Sequence, residues 1–237
     1  MTRGQSLTAS CRVKGMGISV LLIMFMLAPS PARAQSRPTR GSVELGAAAL
    51  WIGGSVVGER KATETRNQAG SADRLTLFEV DERMRSTPGI NAHLAFNVTS
   101  TIAVEGSFTY SRPSLATSIS SDFEGSPNVT LSDSPLQQYF ADGGLVFHLT
   151  GWHLGRRTLP FLAVNAGYLR QVTENHASVT TGRTYGVAGG LKQMLAPSGR
   201  IGLRVDARLG VRDGGLAFDA HRRRPFFMVG AGTFVLF

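Results

Sequence analysis

Near the end of the chain, charged residues alternate with apolar ones, and acidic and basic side chains there are close enough in sequence to form ion pairs or to transfer protons. Between Ile201 and Val211 every second residue is apolar, and Arg204, Asp206 and Arg208 fall between them. Charges that share a narrow space are expected to pair, because an isolated buried charge is very costly. The sequence therefore predicts an ionic network on the inner faces of several strands. Its members are Glu44, Glu105, Asp142, Lys192, Arg204, Asp206, Arg208 and Arg212.

Catalytic and cofactor chemistry finds little support in these residues. Glu105 and Asp142 could act as general acid and base, but nearby cations favour neutralised structural acids, and no nucleophile motif accompanies them. The five histidines, at positions 93, 148, 153, 176 and 221, show no metal-ligand spacing. Nucleotide-binding glycine motifs are absent from the sequence. We therefore expect no enzyme activity, no metal and no cofactor.

The elements that position these charges are predicted to be β-strands. Eight segments alternate apolar and polar residues, and each is near the ~10 residues that cross a tilted membrane barrel. They are Ser42–Trp51, Ile90–Val98, Ile102–Tyr110, Gln137–Leu149, Leu159–Val172, Tyr185–Leu195, Ile201–Arg212 and Arg224–Phe237. The pattern predicts an all-β chain that forms an eight-stranded antiparallel up-and-down transmembrane β-barrel.

The connections between these strands alternate between short and long. Gly53 to Asp73 and Arg112 to Pro135 are polar and are predicted to be long surface loops. Leu75 to Arg83 also alternates and is typical of a strand that extends beyond the membrane. Since eight is even, both ends of the barrel chain are expected on one side, the periplasmic side.

The amino terminus has the pattern of a secretory signal peptide. Arg3, Arg12 and Lys14 precede the apolar run from Met16 to Ala28, and Ala-Arg-Ala ends at Ala34. An uncleaved anchor is the alternative, but this run is short of the roughly 20 residues that a spanning helix needs. The sequence thus predicts a cleaved signal peptide, 1–34, and one barrel domain, 35–237.

Cleavage would change the composition of the chain. The signal peptide contains the single cysteine and four basic residues but no acid, so the formal charge falls from +9 to +5. The mature chain would then have no disulfide and no thiol. Its basic residues share no face with interleaved aromatics, so nucleic acid is not an expected partner.

The last strand carries a recognisable ending. Gly232, Val235 and Phe237 resemble the C-terminal signal that marks the final strand of bacterial outer-membrane β-barrels for the insertion machinery, although Gly230 stands where a polar residue is expected. The whole mature chain resembles the small eight-stranded OmpA/OmpX type, without a peptidoglycan-binding domain. This resemblance implies a monomer in the outer membrane of a Gram-negative cell envelope. It implies as partners the outer-membrane lipid, lipopolysaccharide and the barrel-assembly machinery.

Several functions are compatible with this architecture. A structural or surface-interaction role through the extracellular loops is expected, with the lumen plugged by ion pairs, because eight strands leave just enough room for side chains. The alternatives are a narrow or gated pore and a small-barrel enzyme acting on lipid or peptide. A lipocalin-like carrier would need apolar residues inside, which Arg204, Asp206 and Arg208 contradict.

A basic run precedes the last strand at the outer rim of the predicted barrel. It consists of His221, Arg222, Arg223 and Arg224. These residues could bind lipopolysaccharide phosphates. A solvated loop explains them equally well.

Overall fold

The structure is a computed structural model, and it describes residues 38–65, 74–120, 129–152, 157–173, 178–195, 200–216 and 223–237. The predicted signal peptide, 1–34, lies outside the described residues. Within these ranges no helix is long and apolar enough to cross a membrane.

The described residues form eleven antiparallel β-strands. They are β1 (Val43–Ile52), β2 (Ser55–Thr65), β3 (Arg74–Met84), β4 (Thr87–Asn97), β5 (Ile102–Ser111), β6 (Ser114–Ser120), β7 (Val129–His148), β8 (Thr158–Thr173), β9 (Val179–Met194), β10 (Ile201–Gly214) and β11 (Arg224–Leu236). Eight of them close a cylinder in the order β1-β4-β5-β7-β8-β9-β10-β11 and back to β1. The predicted eight-stranded antiparallel barrel is confirmed, and each predicted strand corresponds to one of these eight.

The barrel closes where the first strand meets the last. The β1–β11 ladder runs from Glu44 opposite Leu236 to Ile52 opposite Met228. Beyond it, the Phe237 amide donates to the Val43 carbonyl at 2.8 Å, and the Val43 amide donates to the Phe237 carbonyl at 3.1 Å. Closure removes the unpaired strand edge, which could not be satisfied in hydrocarbon.

The two ends of the barrel differ in their connections. At one end, the short-turn end, the strands are joined around residues 98–101, 149–157 and 195–200. At the other, the loop end, the connections between β1 and β4 and between β5 and β7 are the longest, and they contain the three further strands β2, β3 and β6. The chain enters β1 and leaves β11 at the short-turn end.

The two predicted surface loops were wrong in part, since both contain strands. β2 lies within 53–73, while β6 and the start of β7 lie within 112–135; the separate prediction of a strand over 75–83 is confirmed as β3. Together β2, β3, β6 and the first part of β7 form a four-stranded sheet, which we call the loop-end sheet. Register shifts after Val56, Ala62 and Leu115 interrupt the two-residue period. A bulge breaks the alternation of apolar and polar residues, so a prediction based on that alternation misses the strand.

The outward faces of the barrel strands form an apolar belt. Ile90, Leu94, Val187 and Leu209 are between 55% and 65% exposed. Aromatic residues flank this belt, as expected of membrane barrels. Trp51, Phe227, Tyr168 and Tyr185 lie toward the loop end, and Phe96, Phe147 and Phe237 lie toward the short-turn end.

The interior of the barrel is filled by side chains in layers. Ala95, Ala103, Val146, Phe161, Ala163 and Ala188 form one buried apolar cluster. Ile52, Phe140, Leu169, Phe226 and Met228 form a second cluster nearer the loop end. Val57, Met84 and Leu136 form a third under the loop-end sheet, and we call it the apolar cap. Charged residues lie beside the first of these clusters, since Ala95 is the register partner of both Glu44 and Glu105.

Candidate functional site: the ionic interior of the barrel

Strand alternation directs the predicted ionic residues into the barrel. Glu44 is on β1, Glu105 on β5, Asp142 on β7 and Lys192 on β9, and the other four residues are on β10. Seven of the eight are less than 10% exposed, and the side chain of Asp206 is 19% exposed. Their carbon stems contribute to filling the lumen, so the charged groups meet one another away from water.

The largest cluster of charges lies toward the short-turn end. Lys192 Nζ donates to Glu44 Oε2 at 2.7 Å. Arg204 donates through both terminal nitrogens to Glu105, with Nη2 to Oε1 at 3.1 Å, and its Nε donates to Asp206 at 3.2 Å. Arg204 Nη1 also lies 3.9 Å from Glu44 Oε1, which joins the pairs into one network. Two-pronged arginine–carboxylate bonds of this kind are strong and directional.

Aromatic rings surround the cations of this network. Lys192 Nζ lies 5.5 Å from the centre of the Phe161 ring and 5.6 Å from that of Phe234, and Arg204 Cζ lies 4.6 Å from the Phe161 ring. Each contact is within the range of a cation–π interaction. Sequence reasoning did not include these rings in the network, although the inward phase of their strands could have pointed to them.

A second ion pair lies further along the lumen. Arg208 Nη1 donates to Asp142 Oδ2 at 3.0 Å, and Thr184 Oγ1 donates to Asp142 Oδ1 at 2.8 Å. The structure thus pairs Arg208 with Asp142 and Glu105 with Arg204. A direct Glu105–Arg208 pair, which inner-face position alone allows, is not formed.

Glu44, His93 and Glu105 bring three ligand-type atoms within 4.8 Å of one another, a grouping that the sequence spacing did not indicate. His93 Nε2 lies 3.3 Å from Glu44 Oε1. Both carboxylates are already bonded to Lys192 and Arg204, however, and these cations oppose a further positive charge at the same place. The group is therefore better described as part of the ion-pair network than as a metal centre.

Two cavities border the charged residues. One, of about 10 Å³, is lined by Glu105, Asp142, Arg204 and Arg208 among others. The other, of about 20 Å³, lies beside Asn91, Thr109 and Asp206. A cavity of this size holds about one water molecule. Buried side chains of the ion pairs and of the apolar clusters surround both cavities.

Arg212 was predicted to belong to the ionic network, but the structure places it apart. It faces the interior near the loop end and is 3% exposed. Its Nη2 donates to Ser55 Oγ, and its Nη1 contacts the sulfur of Met84 at 3.7 Å. Its Nε has no partner, and no ion pair joins it to a carboxylate of the described residues.

The basic run before β11 divides between two environments. Arg223 is exposed and lies 3.7 Å from Asp213. Arg224 instead faces the interior at 9% exposure and donates to the Leu216 carbonyl at 3.0 Å. This position does not fit the predicted contact of Arg224 with lipopolysaccharide on the outer surface. His221 and Arg222 lie outside the described residues.

The residues of the predicted insertion signal lie at the barrel seam. A Cβ atom on Gly232 would lie 2.1 Å from the Ala47 carbonyl oxygen, so the close approach of β1 requires glycine there. Val235 and Phe237 point outward, and Phe237 is 73% exposed. Both residues therefore extend the apolar belt toward the short-turn end.

Comparison with solved structures gives the fold a context. The outer membrane protein OprG of Pseudomonas aeruginosa matches 84% of this chain and 97% of its own with a TM-score of 0.53 at 10% identity. Neisserial surface protein A matches 83% of this chain and 99% of its own, with a TM-score of 0.48 at 12% identity. The attachment invasion locus protein Ail of Yersinia pestis matches 84% and 100%, with a TM-score of 0.40 at 14% identity. No protein-family model and no curated protein matches the sequence.

The architecture and the OprG match agree. This chain has the fold of a small eight-stranded outer-membrane β-barrel. The apolar belt on the outside and the charges on the inside have the polarity that such a barrel needs in a lipid bilayer. The fold and this polarity agree with the outer-membrane location that the sequence predicts.

Proposed function

We propose that this protein is a non-conducting membrane anchor that presents the loop-end sheet at the cell surface for interaction with molecules outside the cell. The observation that carries the proposal is that regular strand pairing continues past the apolar belt. The later residues of β7 pair with β5 and β8 in the wall of the barrel, and its earlier residues pair with β6 in the loop-end sheet. The barrel and the sheet thus share one continuous strand.

The surface chemistry changes between the belt and this sheet. On β4, outward-facing Ile90 and Leu94 are more than half exposed. On β3, the alternate residues Asp81 and Arg83 stand opposite Ser118 and Ala116 of β6. Charged and hydroxyl side chains on a β-sheet are disfavoured in hydrocarbon but favoured in water. This change supports a sheet that stands clear of the membrane.

The contents of the lumen favour an anchor over a pore. Ion pairs link strands across the interior, because Lys192 on β9 bonds to Glu44 on β1 and Arg208 on β10 bonds to Asp142 on β7. A gated pore would require these buried pairs to separate, which is costly for charges at low dielectric. The cavities beside the pairs are water-sized, about 10 and 20 Å³, which supports a filled lumen.

An enzyme is the less favoured alternative. Of the acidic and histidine residues that the structure describes, Glu44, His93 and Glu105 form the tightest group. They are 1%, 4% and 8% exposed and lie within the ionic network. A lipid or peptide substrate could not reach them in this conformation. The group therefore supports packing of the lumen and not catalysis at the rim.

Single cysteines test the presentation of the loop-end sheet. The mature chain is expected to lack cysteine, so Asp81→Cys and Ser100→Cys each introduce one thiol, at the loop end and the short-turn end respectively. We expect a membrane-impermeant maleimide to label Asp81→Cys in intact cells and Ser100→Cys only after the outer membrane is permeabilised. The reverse pattern, or equal labelling of both variants in intact cells, would contradict a surface-presented sheet.

A further inference from the structure

Arg212 is the exception in the charge balance of the lumen. Where side chains are described, the inward-facing acids of the barrel strands are Glu44, Glu105, Asp142 and Asp206, and the inward-facing Lys and Arg residues are Lys192, Arg204, Arg208, Arg212 and Arg224. The four acids are bonded to Lys192, Arg204 and Arg208. Arg212 has no carboxylate partner among the described side chains, and it is only 3% exposed. A guanidinium ion in such a place is very costly unless an anion compensates it.

A second arginine increases the local positive charge. Arg224 stands directly opposite Arg212 in the β10–β11 ladder, and both side chains point into the barrel. Like charges placed directly opposite each other on neighbouring strands destabilise a sheet. An anion bound to Arg212 would offset the positive charge at this position, and a guanidinium group presents several N–H donors in a geometry that matches an oxyanion.

Arg212 has N–H donors that make no strong hydrogen bond to the described residues. Of its three nitrogens, Nη2 donates to Ser55 Oγ, Nη1 faces the weakly accepting sulfur of Met84, and Nε has no partner. The Met84 side chain also belongs to the apolar cap, so the guanidinium lies beside an apolar surface. Electrostatic attraction to an anion is stronger in such surroundings than in water.

A row of polar residues reaches the same level of the lumen. Ser111, Gln138, Gln171 and Thr180 are successive register partners on β5, β7, β8 and β9. Each has one buried polar atom without a hydrogen-bond partner. Leu216 joins this row to the arginines, because its amide donates to Gln171 Oε1 at 2.7 Å and its carbonyl accepts from Arg224. Together with Arg212 Nε, these unsatisfied atoms are groups that a polar ligand would satisfy.

We infer that Arg212, with Arg224 beside it, forms an oxyanion-binding site inside the loop end of the barrel, which takes a phosphate group, either free or at the end of a phosphomonoester. The site lies between the second apolar cluster and the apolar cap. Since Arg212 is only 3% exposed, the ligand enters through local opening of the cap and is then enclosed.

Refolded protein in a maltoside detergent, which carries no phosphate of its own, provides the test. Phosphate is titrated at constant ionic strength against chloride, and heat unfolding is followed by gel mobility while binding is followed by calorimetry. We expect saturable binding and a higher unfolding temperature with phosphate for the wild type. The Arg212→Gln variant should bind on the order of tenfold or more weakly, because it loses a charge-assisted contact.

Arg223→Gln is the matched control, since it removes the same charge at an exposed position next to Arg224. It should bind phosphate as the wild type does. In chloride alone, Arg212→Gln should unfold at the same or a higher temperature than the wild type, because it removes an uncompensated buried charge. This expectation separates loss of the site from loss of the fold.

Glycerol 3-phosphate distinguishes the two sources of the phosphate group. Binding of both ligands assigns the site to phosphomonoesters, and binding of phosphate alone assigns it to the free ion. Wild-type protein that shows no saturable effect of phosphate, or an effect that Arg212→Gln retains in full, would overturn the inference. In that case water alone satisfies these polar groups.

Discussion

At the residue scale, the interior of the barrel depends on which acid each arginine contacts. Arg204 and Arg208 lie on the same face of β10, four residues apart, and Glu105 bonds only to Arg204 among these two. Removing one member of a buried pair leaves an unpaired charge, which typically costs ~3 to 5 kcal/mol. These two arginines therefore provide an internal comparison for the pairing.

We predict strong coupling between Glu105 and Arg204 and weaker coupling between Glu105 and Arg208. Glu105→Gln and Arg204→Gln should each destabilise the barrel, and the double variant should recover part of the loss. Glu105→Gln combined with Arg208→Gln should show a clearly smaller coupling, because these two residues line one cavity but form no ion pair with each other. Urea unfolding of refolded protein in lipid vesicles measures both cycles, and equal coupling in the two cycles would contradict the pairing.

The sequence could indicate which residues face the lumen, but not which of them meet. Two-residue alternation assigns a side chain to a face, whereas pairing depends on the stagger of the strands around the barrel. Glu105 stands beside Gly144 of β7 in the ladder, yet its carboxylate reaches Arg204 of β10 across the interior. A local sequence pattern cannot predict this contact, because the contact joins two strands that are far apart in the sequence. The position of Arg212 has the same origin, because the inward-facing acids whose side chains are described, Glu44, Glu105, Asp142 and Asp206, bond to other cations.

At the element scale, glycines control how closely the strands approach. Gly232 and Gly143 make a matched pair, since an added Cβ would lie 2.1 Å from the Ala47 carbonyl oxygen at Gly232 and in open space at Gly143. We predict that Gly232→Ala weakens the β1–β11 seam and lowers the unfolding temperature. Gly143→Ala should be neutral or slightly stabilising, because it only reduces the freedom of the unfolded chain. Equal effects in a gel-mobility melt would show that the seam tolerates a side chain.

A second prediction at this scale concerns the depth of β10 in the membrane. Ile201 and Val205 both lie on its outward face, one at the short-turn end and the other near the middle of the strand. Val205→Arg should cost ~2 to 4 kcal/mol, while Ile201→Arg should cost about 0 to 1 kcal/mol near the interface. Folding titrations into vesicles measure both. A substitution at the neighbouring inner-face residue Gly202 should also destabilise the barrel, because an added Cβ would lie 2.3 Å from the Phe234 ring.

The strands that sequence reasoning found and missed differ in their surroundings. Strands within the belt face lipid on one side and packed side chains on the other, so their residues must alternate. β2 reads SVVGERKATET, and two register shifts with β3 interrupt its period. Outside the membrane, one face of the loop-end sheet packs on the apolar cap, while water on the other face accepts polar side chains, so the constraint on sequence is weaker. The loop-end sheet was therefore harder to predict than the barrel beneath it.

At the scale of the whole molecule, the packed interior predicts very low ion conductance. Lys192, Arg204 and Arg208 are each bonded to an acid on another strand, and the cavities of about 10 and 20 Å³ beside these pairs hold about one water each. Purified protein in planar lipid bilayers should give at most small, infrequent current steps. Steady, large conductance would favour the gated pore in place of the anchor.

The division of the molecule into anchor and surface sheet leads to a deletion that separates them. The residue after the end of β1 and the residue before the start of β4 lie close together. A Cβ atom added to Gly54 would lie 3.2 Å from the Ser86 amide nitrogen. Replacing residues 55–85 with an Asn-Gly turn should therefore join the two strands without strain. The eight-stranded ladder does not include β2 or β3, so this variant should still reach the outer membrane and migrate differently on gels with and without heating. Failure to form the heat-modifiable species would show that the sheet is needed for folding. A surface ligand that binds the shortened barrel as well as the intact one would contradict a role for β2 and β3 in recognition.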